Sequence, residues 1–230
     1  MDWSPIWISM KTAFAAICIT FFLGIFAAWA VVRMKKGRSR AIWDGILTMP
    51  LVLPPTVAGF FLLYLLGVKR PIGRFFIEQF GIKIAFSWGA AVIAAVVISF
   101  PLMYRSARGA FEQVEPNLIS AARTLGMSEW KIFWKVLLPN ALPGVVSGGV
   151  LAFARGMGEF GATAMVAGNI AGKTRTLPLA VYSAVAAGDM DSAYRYVLVI
   201  VVISFAVVVV MNAVSGRKKT KGKGCGNSSC

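Results

Sequence analysis

Arg155 and Glu159, in the run ARGMGEFGATAMVAG, are the ionisable residues of this chain that most suggest a chemical role. They are four residues apart, and on a helix this spacing brings an arginine and a glutamate close enough to pair. They follow directly on a long uncharged stretch, and an ionisable group in or near a bilayer is a functional hypothesis in itself. Two interpretations stay open: the pair fixes helix packing, or it acts in the gating of a passage.

The segment Gly168–Thr174 reads GNIAGKT and is close to a phosphate-binding loop, but it does not complete that motif. The pattern G-x-x-x-x-G-K-[ST] requires a glycine at position 167, where this chain has Ala167. We therefore predict no nucleotide site in this chain. Lys173 and Arg175 are left as basic side chains that either attract an anion or a docking protein, or are solvated loop charges.

Histidine is absent from the 230 residues, which removes the commonest metal ligand and the commonest general base. The cysteines do not replace it, because Cys18 lies in an apolar stretch and Cys225 and Cys230 lie in a basic tail without a folded frame. No arrangement of residues suits nucleophilic or metal catalysis. We predict that the chain is not an enzyme and holds no metal and no cofactor.

The elements that must position these residues are apolar helices. Hydrophobic residues make up 58% of the chain, more than in a soluble domain. Five stretches lack any charge, and each has about the 20 residues that a helix needs to cross hydrocarbon: Ala13–Val32, Gly45–Val68, Ile84–Tyr104, Val136–Ala154 and Tyr196–Gly216. A further run, Thr176–Gly188, is short enough for a buried or interfacial helix. The predicted fold class is an all-α integral membrane protein with five full spans plus a short extra helix, six spans being the alternative.

The distribution of basic residues predicts the orientation in the membrane. Arg33–Arg40, Arg105–Lys135 and the tail after Gly216 hold five basic residues each, and with five spans all fifteen lie on one side. The other nine of the 24 lie opposite, so the richer side should be cytoplasmic, with the N-terminus outside and the C-terminus inside. This pattern accounts for the net charge of +15 without a nucleic-acid partner.

The basic tail is predicted to be separate from the membrane domain. Residues 217–230 read RKKTKGKGCGNSSC and suit a disordered cytoplasmic segment that touches anionic lipid headgroups. Residues 1–216 then form the transmembrane domain. A cleaved signal peptide is not expected, because the first apolar run is long, lacks a basic region before it and ends in RMKKGRSR.

Pro54 and Pro55 interrupt the second uncharged stretch, with Gly59 just beyond them. Proline removes a backbone donor, which a membrane tolerates only where protein or a water-filled cavity covers the freed groups. We expect a kink that faces the interior of the bundle. It either lines a translocation pathway or is a structural kink without contact to cargo.

The loop 105–139 carries an interrupted pair of helices. Asn117–Leu125 is predicted to be one helix that Gly126 terminates in a left-handed conformation, and Ser128 can cap the next helix. In that next helix Trp130, Phe133, Trp134 and Leu137 have the i, i+3, i+4, i+7 spacing of a single apolar stripe. Periodicity alone leaves open an interfacial helix on lipid headgroups or a helix that docks on a cytoplasmic partner.

The stretch Ser120–Pro139, SAARTLGMSEWKIFWKVLLP, resembles the signature E-A-A-x3-G-x9-I-x-L-P of permease subunits of ATP-binding-cassette (ABC) importers. Ala121, Ala122, Gly126, Leu138 and Pro139 match that signature; Val136 replaces the isoleucine and Ser120 replaces the glutamate. Three further segments resemble the molybdate importer permeases within that family: PLVLPPTVAGFFLL, FSWGAAVIAAVVISFPLMYRSARGAFE and LAFARGMGEFGATAMVAGNIAGKTRTLPLAVY.

The resemblance implies the transmembrane domain of a type I ABC importer for molybdate in a prokaryotic cytoplasmic membrane. Two copies of the chain would form the pathway, two cytoplasmic ABC ATPase subunits would dock on the 105–139 loops, and an extracytoplasmic oxyanion-binding protein would deliver cargo. The implied coupling residues are Ser120, Ala121, Ala122, Gly126, Trp130, Phe133, Trp134 and Pro139. Pro54, Pro55, Gly59, Arg155 and Glu159 are the candidates for the pathway or its gate. Because serine cannot make the charged contact of the family's glutamate, either that contact is dispensable or Arg123 and Glu129 supply another polar set.

Two groups of alternatives remain at this point. Tungstate, sulfate and molybdate are all tetrahedral dianions, and no residue of this chain separates them, so a sulfate/thiosulfate or tungstate permease is the main alternative. An ATP-independent anion channel or secondary transporter would be a different class. The absence of charges from the five stretches disfavours it, since ion coupling in such proteins uses ionisable groups inside the spans.

Overall fold

The computed structural model describes residues 2–216, and the tail predicted for 217–230 lies outside them. Within the described range all regular secondary structure is helical and there is no strand. Its helices are α1 (Ser4–Arg33), α2 (Arg38–Val52), α3 (Pro55–Leu66), α4 (Pro71–Phe80), α5 (Trp88–Glu112), α6 (Pro116–Thr124), α7 (Glu129–Ile132), α8 (Leu138–Met157), α9 (Gly161–Val166), α10 (Leu177–Ala186) and α11 (Met190–Gly216). A π-turn, Phe133–Leu137, joins α7 to α8, so that Glu129–Met157 is one continuous rod.

Four continuous helices of the described range are long and apolar enough to cross a membrane. They are α1, α5, the rod Glu129–Met157 and the Met190–Val209 part of α11. Each contains or overlaps one of the uncharged stretches. The short run Thr176–Gly188 forms α10, which is too short to span, as predicted. The all-α membrane fold is thus confirmed.

The second uncharged stretch, Gly45–Val68, was predicted to be one kinked span, but it is divided between two helices. α2 and α3 meet at an angle of 107°, and counting them as one broken span brings the possible total to five within the described residues. Leu53 and Pro54 are extended, with ψ near 139° and 134°. A residue before proline avoids the helical region, and both Leu53 and Pro54 precede a proline, so the helix cannot continue through them.

The core of the molecule is the contact of α1, α5 and the rod. Fully buried side chains from the three helices meet there, among them Ala28 of α1, Tyr104 of α5 and Phe133 of the rod. A second cluster of small residues joins α3, the first half of α5 and α9, and its members include Ala58, Ala94 and Ala162. Small residues let membrane helices approach closely and gain van der Waals contact.

The two ends of α5 define two ends of the molecule. Near Trp88, α5 lies beside α3 and α9, and the backbone N–H of Phe86 donates to Val166 at 2.9 Å. At Glu112, α5 leads through a short link into α6 and α7. The loop 105–139 therefore lies at the opposite end of the molecule from α9.

Substitution of Gly59 tests the close contact between α3 and α9. A Cβ atom at this position would lie 2.7 Å from the Cα atom of Ala162 and 3.0 Å from its carbonyl oxygen. We expect Gly59→Ala to lower the unfolding temperature in detergent by about 3–9 °C, because backbone atoms must shift to admit the methyl group. Tryptophan fluorescence during a thermal ramp measures it.

Gly45→Ala is the matched control, since a Cβ at Gly45 meets nothing within 4 Å and alanine favours the helix. Equal effects of the two substitutions would contradict the described packing of α3 on α9.

Candidate functional site

The turn between α6 and α7 has the backbone that the sequence predicts. Gly126 is left-handed, with φ at +73°, and its N–H donates to Arg123 O at 2.9 Å while Met127 N–H donates to Ala122 O at 3.2 Å. Ser128 Oγ accepts from the backbone N–H of Lys131 at 3.4 Å and so caps α7. The predicted terminator and cap are both confirmed.

This turn exposes its residues to solvent. Leu125, at the tip, is 81% exposed, so its apolar side chain is available to another molecule. Ser120 and Ala121 are also exposed on α6, whereas Ala122 is buried against the rest of the loop. Pro139 is exposed in the first turn of α8.

The apolar stripe of the rod points partly inward. Phe133 is completely buried, with its ring 4.9 Å from Trp29 and 6.1 Å from Phe111, centroid to centroid. Trp130 stacks on Phe26 with nearly parallel rings, at 4°, but remains half exposed, as does Trp134. The stripe thus braces the loop against α1 and α5, and only its two tryptophans offer surface to other molecules.

The π-turn alters the stripe because it inserts a wider turn before Pro139. Leu138 N–H bonds to Phe133 O, five residues earlier, instead of four. Proline has no N–H to continue the ladder, and a π-turn is one way for a helix to accommodate this defect. Strict 3.6-residue periodicity therefore does not hold beyond Phe133.

Arg123 and Glu129 form an ion pair across the turn. Arg123 Nε donates to Glu129 Oε1 at 2.7 Å, Nη2 lies 3.3 Å from Oε2, and Arg33 Nε is 3.8 Å from the same carboxylate. The neighbouring carboxylate raises the pKa of Arg123 above its ordinary value. Ser120 lines the same cavity of about 330 Å³ as these three charged residues.

A second charged cluster, which sequence reasoning missed, joins α2 to α5. Tyr104 is fully buried and its hydroxyl donates to Asp44 Oδ1 at 2.7 Å. Arg108 also pairs with Asp44 and lies 3.0 Å from Glu112, and Arg40 pairs with Glu112. We call these five residues the α2–α5 cluster. The i, i+4 spacing of Arg108 and Glu112 signals only the local pair.

The α2–α5 cluster is important because α2 has little apolar packing. No described residue of α2 is buried, and Trp43, Ile46 and Met49 are more than half exposed. Its neighbours are α5 and, to a smaller extent, α1. The partly buried Leu47 is the residue of α2 that packs against the hydrophobic core, and the ion pairs and the buried tyrosine hydroxyl add to this small apolar contact.

The predicted pair Arg155–Glu159 exists and lies between the last turn of α8 and the start of α9. Arg155 Nη1 donates to Glu159 Oε2 at 2.6 Å, and the backbone N–H of Ala162 donates to Oε1 at 2.8 Å. Glu159 is 2% exposed. The carboxylate therefore ties the last turn of α8 to the first turn of α9.

The proline pair belongs to the same region. Gly161, at the start of α9, is so close to α3 that a Cβ there would lie 3.1 Å from Pro55 Cβ and 3.2 Å from Thr56 N. Gly59 meets Ala162 one turn further along α3. Pro55, Gly59, Arg155 and Glu159 are thus brought together, while Pro54 is exposed at the bend.

The segment Gly168–Thr174 is a loop with internal hydrogen bonds, and Asn169 Nδ2 also donates to Ser183 Oγ of α10 at 2.6 Å. Thr174 Oγ1 accepts from Ile170 N–H at 3.0 Å and is 3.3 Å from Gly168 O, so this hydroxyl is used inside the loop. Arg175 Nε donates to Asn169 Oδ1 at 2.8 Å, and Lys173 is exposed. Among the described residues no group of three or more His, Cys, Asp or Glu side chains could hold a metal.

Residues 20–219 match the family model of the binding-protein-dependent transport system inner membrane component. The chain belongs to this family.

Among individual relatives, sequence identity is higher to molybdenum permeases than to a sulfate permease. The chain is 47% identical over 182 residues to the molybdenum transport system permease protein ModB of Escherichia coli strain K12, with 79% of each chain covered. It is 38% identical over 222 residues to ModB of Haemophilus influenzae, with 96% of each covered. The sulfate transport system permease protein CysW of Synechocystis is 33% identical over 214 residues, covering 93% of this chain and 77% of that protein.

Solved structures share the fold. The MetNI methionine ABC transporter, in an inward-facing form, matches with a TM-score of 0.67 at 20% identity over 91% of this chain and 94% of that chain. A bacterial ABC transporter involved in alginate import matches with a TM-score of 0.76 at 12% identity, over 94% and 79%. The fold is that of a type I ABC importer transmembrane domain.

Two matched ion pairs test the role of Glu159. Glu159→Gln removes the charge from a buried i, i+4 pair, and we expect the unfolding temperature in detergent to fall by about 5–10 °C because Arg155 loses its partner. Glu78→Gln breaks the exposed i, i+4 pair with Arg74 and should leave that temperature nearly unchanged. Similar shifts for both variants would contradict the structural importance of the buried carboxylate.

Charge exchange tests the α2–α5 cluster. Asp44→Arg and Arg108→Asp should each destabilise the protein, because each places like charges side by side. The double exchange should recover part of the loss, with a coupling free energy of about 1–2 kcal/mol in a double-mutant cycle. Strictly additive effects would show that Asp44 and Arg108 do not interact.

Proposed function

We propose that the chain is the membrane subunit of an ATP-driven importer for molybdate. The observation that carries this proposal is its similarity to molybdenum transport permeases over most of both chains, at higher identity than to the sulfate permeases. As in other permeases of this family, ATP hydrolysis takes place in a separate subunit. The chain itself supplies the passage and the surface that receives the mechanical work.

The α6–α7 turn is the docking surface for a cytoplasmic ABC ATPase. Three properties support this role: Leu125 projects into solvent, Gly126 fixes the angle between the two helices, and the buried Phe133 gives the turn a rigid base. A projecting apolar side chain on a rigid base can enter a groove of a partner at low entropic cost.

The polar contact that the family's glutamate would make has a substitute here. Ser120 faces the cavity in which Glu129 lies between Arg123 and Arg33. We infer that Glu129 brings the carboxylate to this surface from across the turn. A glutamate at position 120 would place a second acid beside it.

Force on the turn reaches the opposite end of the membrane through the rod. Glu129–Met157 is one helix of 29 residues, which corresponds to about 43 Å at 1.5 Å per residue. Its far end carries Arg155, whose pair with Glu159 ties the rod to α9, and α9 packs against α3. Movement of the docked ATPase therefore displaces the α3–α9 region as a rigid body, which is the basis for alternating access.

A second copy of the chain completes the passage. α2 buries none of its described residues, and α3 exposes Phe60, Phe61 and Tyr64. Two copies related by a twofold axis could cover such faces.

The assembly then has two permease chains, two ATPases on the α6–α7 turns and an extracytoplasmic oxyanion-binding protein at the α9 end. The α6–α7 end and the C-terminus are cytoplasmic and the N-terminus is outside.

Sulfate is the second candidate for the cargo, because two sulfate permeases are 33% and 34% identical to this chain. Purification of the tagged complex from its native membrane, followed by ATPase assays in liposomes that contain the co-purified binding protein, separates the candidates. We expect an ABC ATPase in equal amount and stimulation by molybdate at lower concentrations than by sulfate. Transport of anions by the chain without any ATPase would overturn the importer and favour a channel or secondary transporter.

Gly126 and Gly172 provide a matched test of docking. Both have φ near +72° and open space around a Cβ, but only Gly126 lies in the docking turn. Gly126→Val should lower molybdate uptake at least about tenfold and uncouple it from ATP hydrolysis, because valine cannot keep this backbone. Gly172→Val, with the same strain, should retain coupling. Normal uptake by the Gly126 variant would contradict the docking assignment.

A further inference from the structure

α4 is an amphipathic helix at the α9 end of the molecule that the transport function does not use. Ile72, Phe75, Phe76 and Phe80 follow the spacing of one apolar side, whereas Arg74 and Glu78 pair with each other on another side at 2.6 Å. Ile72, Phe75 and Phe80 are 41%, 55% and 63% exposed. Three large apolar side chains are thus presented by one short helix.

The attachment of α4 fixes its depth in the membrane. Gly73 is buried so tightly that a Cβ there would collide with the carbonyl oxygens of Leu66 and Gly67, at the end of α3. The guanidinium of Arg70, in the link before α4, lies 3.9 Å from the centroid of the Tyr64 ring on α3. Since α3 packs against the first half of the spanning helix α5, α4 lies where that span leaves the hydrocarbon.

The charges around α4 have one sign. Lys69, Arg70 and Lys83 flank the helix, are exposed, and have no acidic partner within 4 Å among residues 2–216. The only acid of α4, Glu78, is occupied by Arg74. An apolar face with a basic border has the chemistry of a helix that lies in the interface of a bilayer with anionic lipids.

We propose that residues 67–86 are an interfacial anchor that binds anionic phospholipid in the leaflet opposite the α6–α7 turn. Ile72, Phe75 and Phe80 insert among the acyl chains, and Lys69, Arg70 and Lys83 bind phosphate-bearing headgroups. Lipid is the occupant because the position of α3 puts the apolar face at membrane depth, where acyl chains are already present. The anchor fixes the end of α3, against which α9 packs, and does not depend on the identity of the cargo.

Spin labels measure the depth of α4 in vesicles. The full chain, with Cys18→Ala, Cys225→Ser and Cys230→Ser, receives single cysteines by Ile72→Cys, Phe80→Cys or, as the matched control on the polar side, Glu78→Cys. In vesicles of phosphatidylethanolamine and phosphatidylglycerol, labels at 72 and 80 should collide with oxygen and be shielded from a water-soluble nickel complex. The label at 78 should show the reverse. Equal access of the nickel complex to all three positions would overturn the anchor.

Lipid retention tests the headgroup contact. The enrichment of phosphatidylglycerol over phosphatidylethanolamine among the co-purified lipids is the quantity measured. In the variant with Lys69→Gln, Arg70→Gln and Lys83→Gln this enrichment should fall, by about fivefold for each charge removed. Lys173→Gln with Arg195→Gln, which removes charges away from α4, should keep it. Unchanged enrichment in the triple variant would overturn the proposal. So would shielding of the label at 72 that appears only when a soluble protein is added, because a protein would then be the occupant.

Discussion

The fold depends on how it satisfies buried backbone polar groups where its helices are interrupted. The clearest case is Glu159, whose buried carboxylate accepts from the N–H of Ala162 and from Arg155. The first N–H groups of a helix have no partner within it, and in hydrocarbon a missing partner costs several kcal/mol. The chain can therefore stop α8 and start α9 because this side chain replaces the missing acceptor.

Outside the core of α1, α5 and the rod, two other kinds of contact hold helices in place, and they differ in reversibility. The α3–α9 contact is a close fit of Gly59 and Gly161 against backbone, which tolerates small sliding but not separation without loss of packing. α2 is held by the α2–α5 cluster, whose charged groups can exchange partners or take up water. Under the proposed function, α2 is the element that can change its place while α1, α5 and the rod move together.

Local chemistry accounts for what the sequence predicted. Long uncharged stretches, the left-handed Gly126, the Ser128 cap and the Arg155–Glu159 pair all follow from residues within a few positions of one another. The α2–α5 cluster joins Asp44 to Tyr104 and Arg108, some 60 residues apart, so no local pattern reveals it. The 107° angle at Pro54 also depends on α9, because proline requires a break but does not set its direction. The burial of Phe133 depends in the same way on Trp29 and Phe111.

The scarcity of free charge in the spans also bears on selectivity. Within the described part of the four continuous spans, Glu159 neutralises Arg155 at the α9 end of the rod, whereas Lys11 of α1 and Arg105 of α5 have no acidic partner within 4 Å. Attraction between such a cation and a dianion depends on their charges and their separation, not on the central atom of the dianion. It therefore cannot distinguish molybdate from sulfate, two dianions of the same shape. Under the proposed function, selection therefore falls to the extracytoplasmic protein, and this chain is free to serve whichever oxyanion is delivered to it.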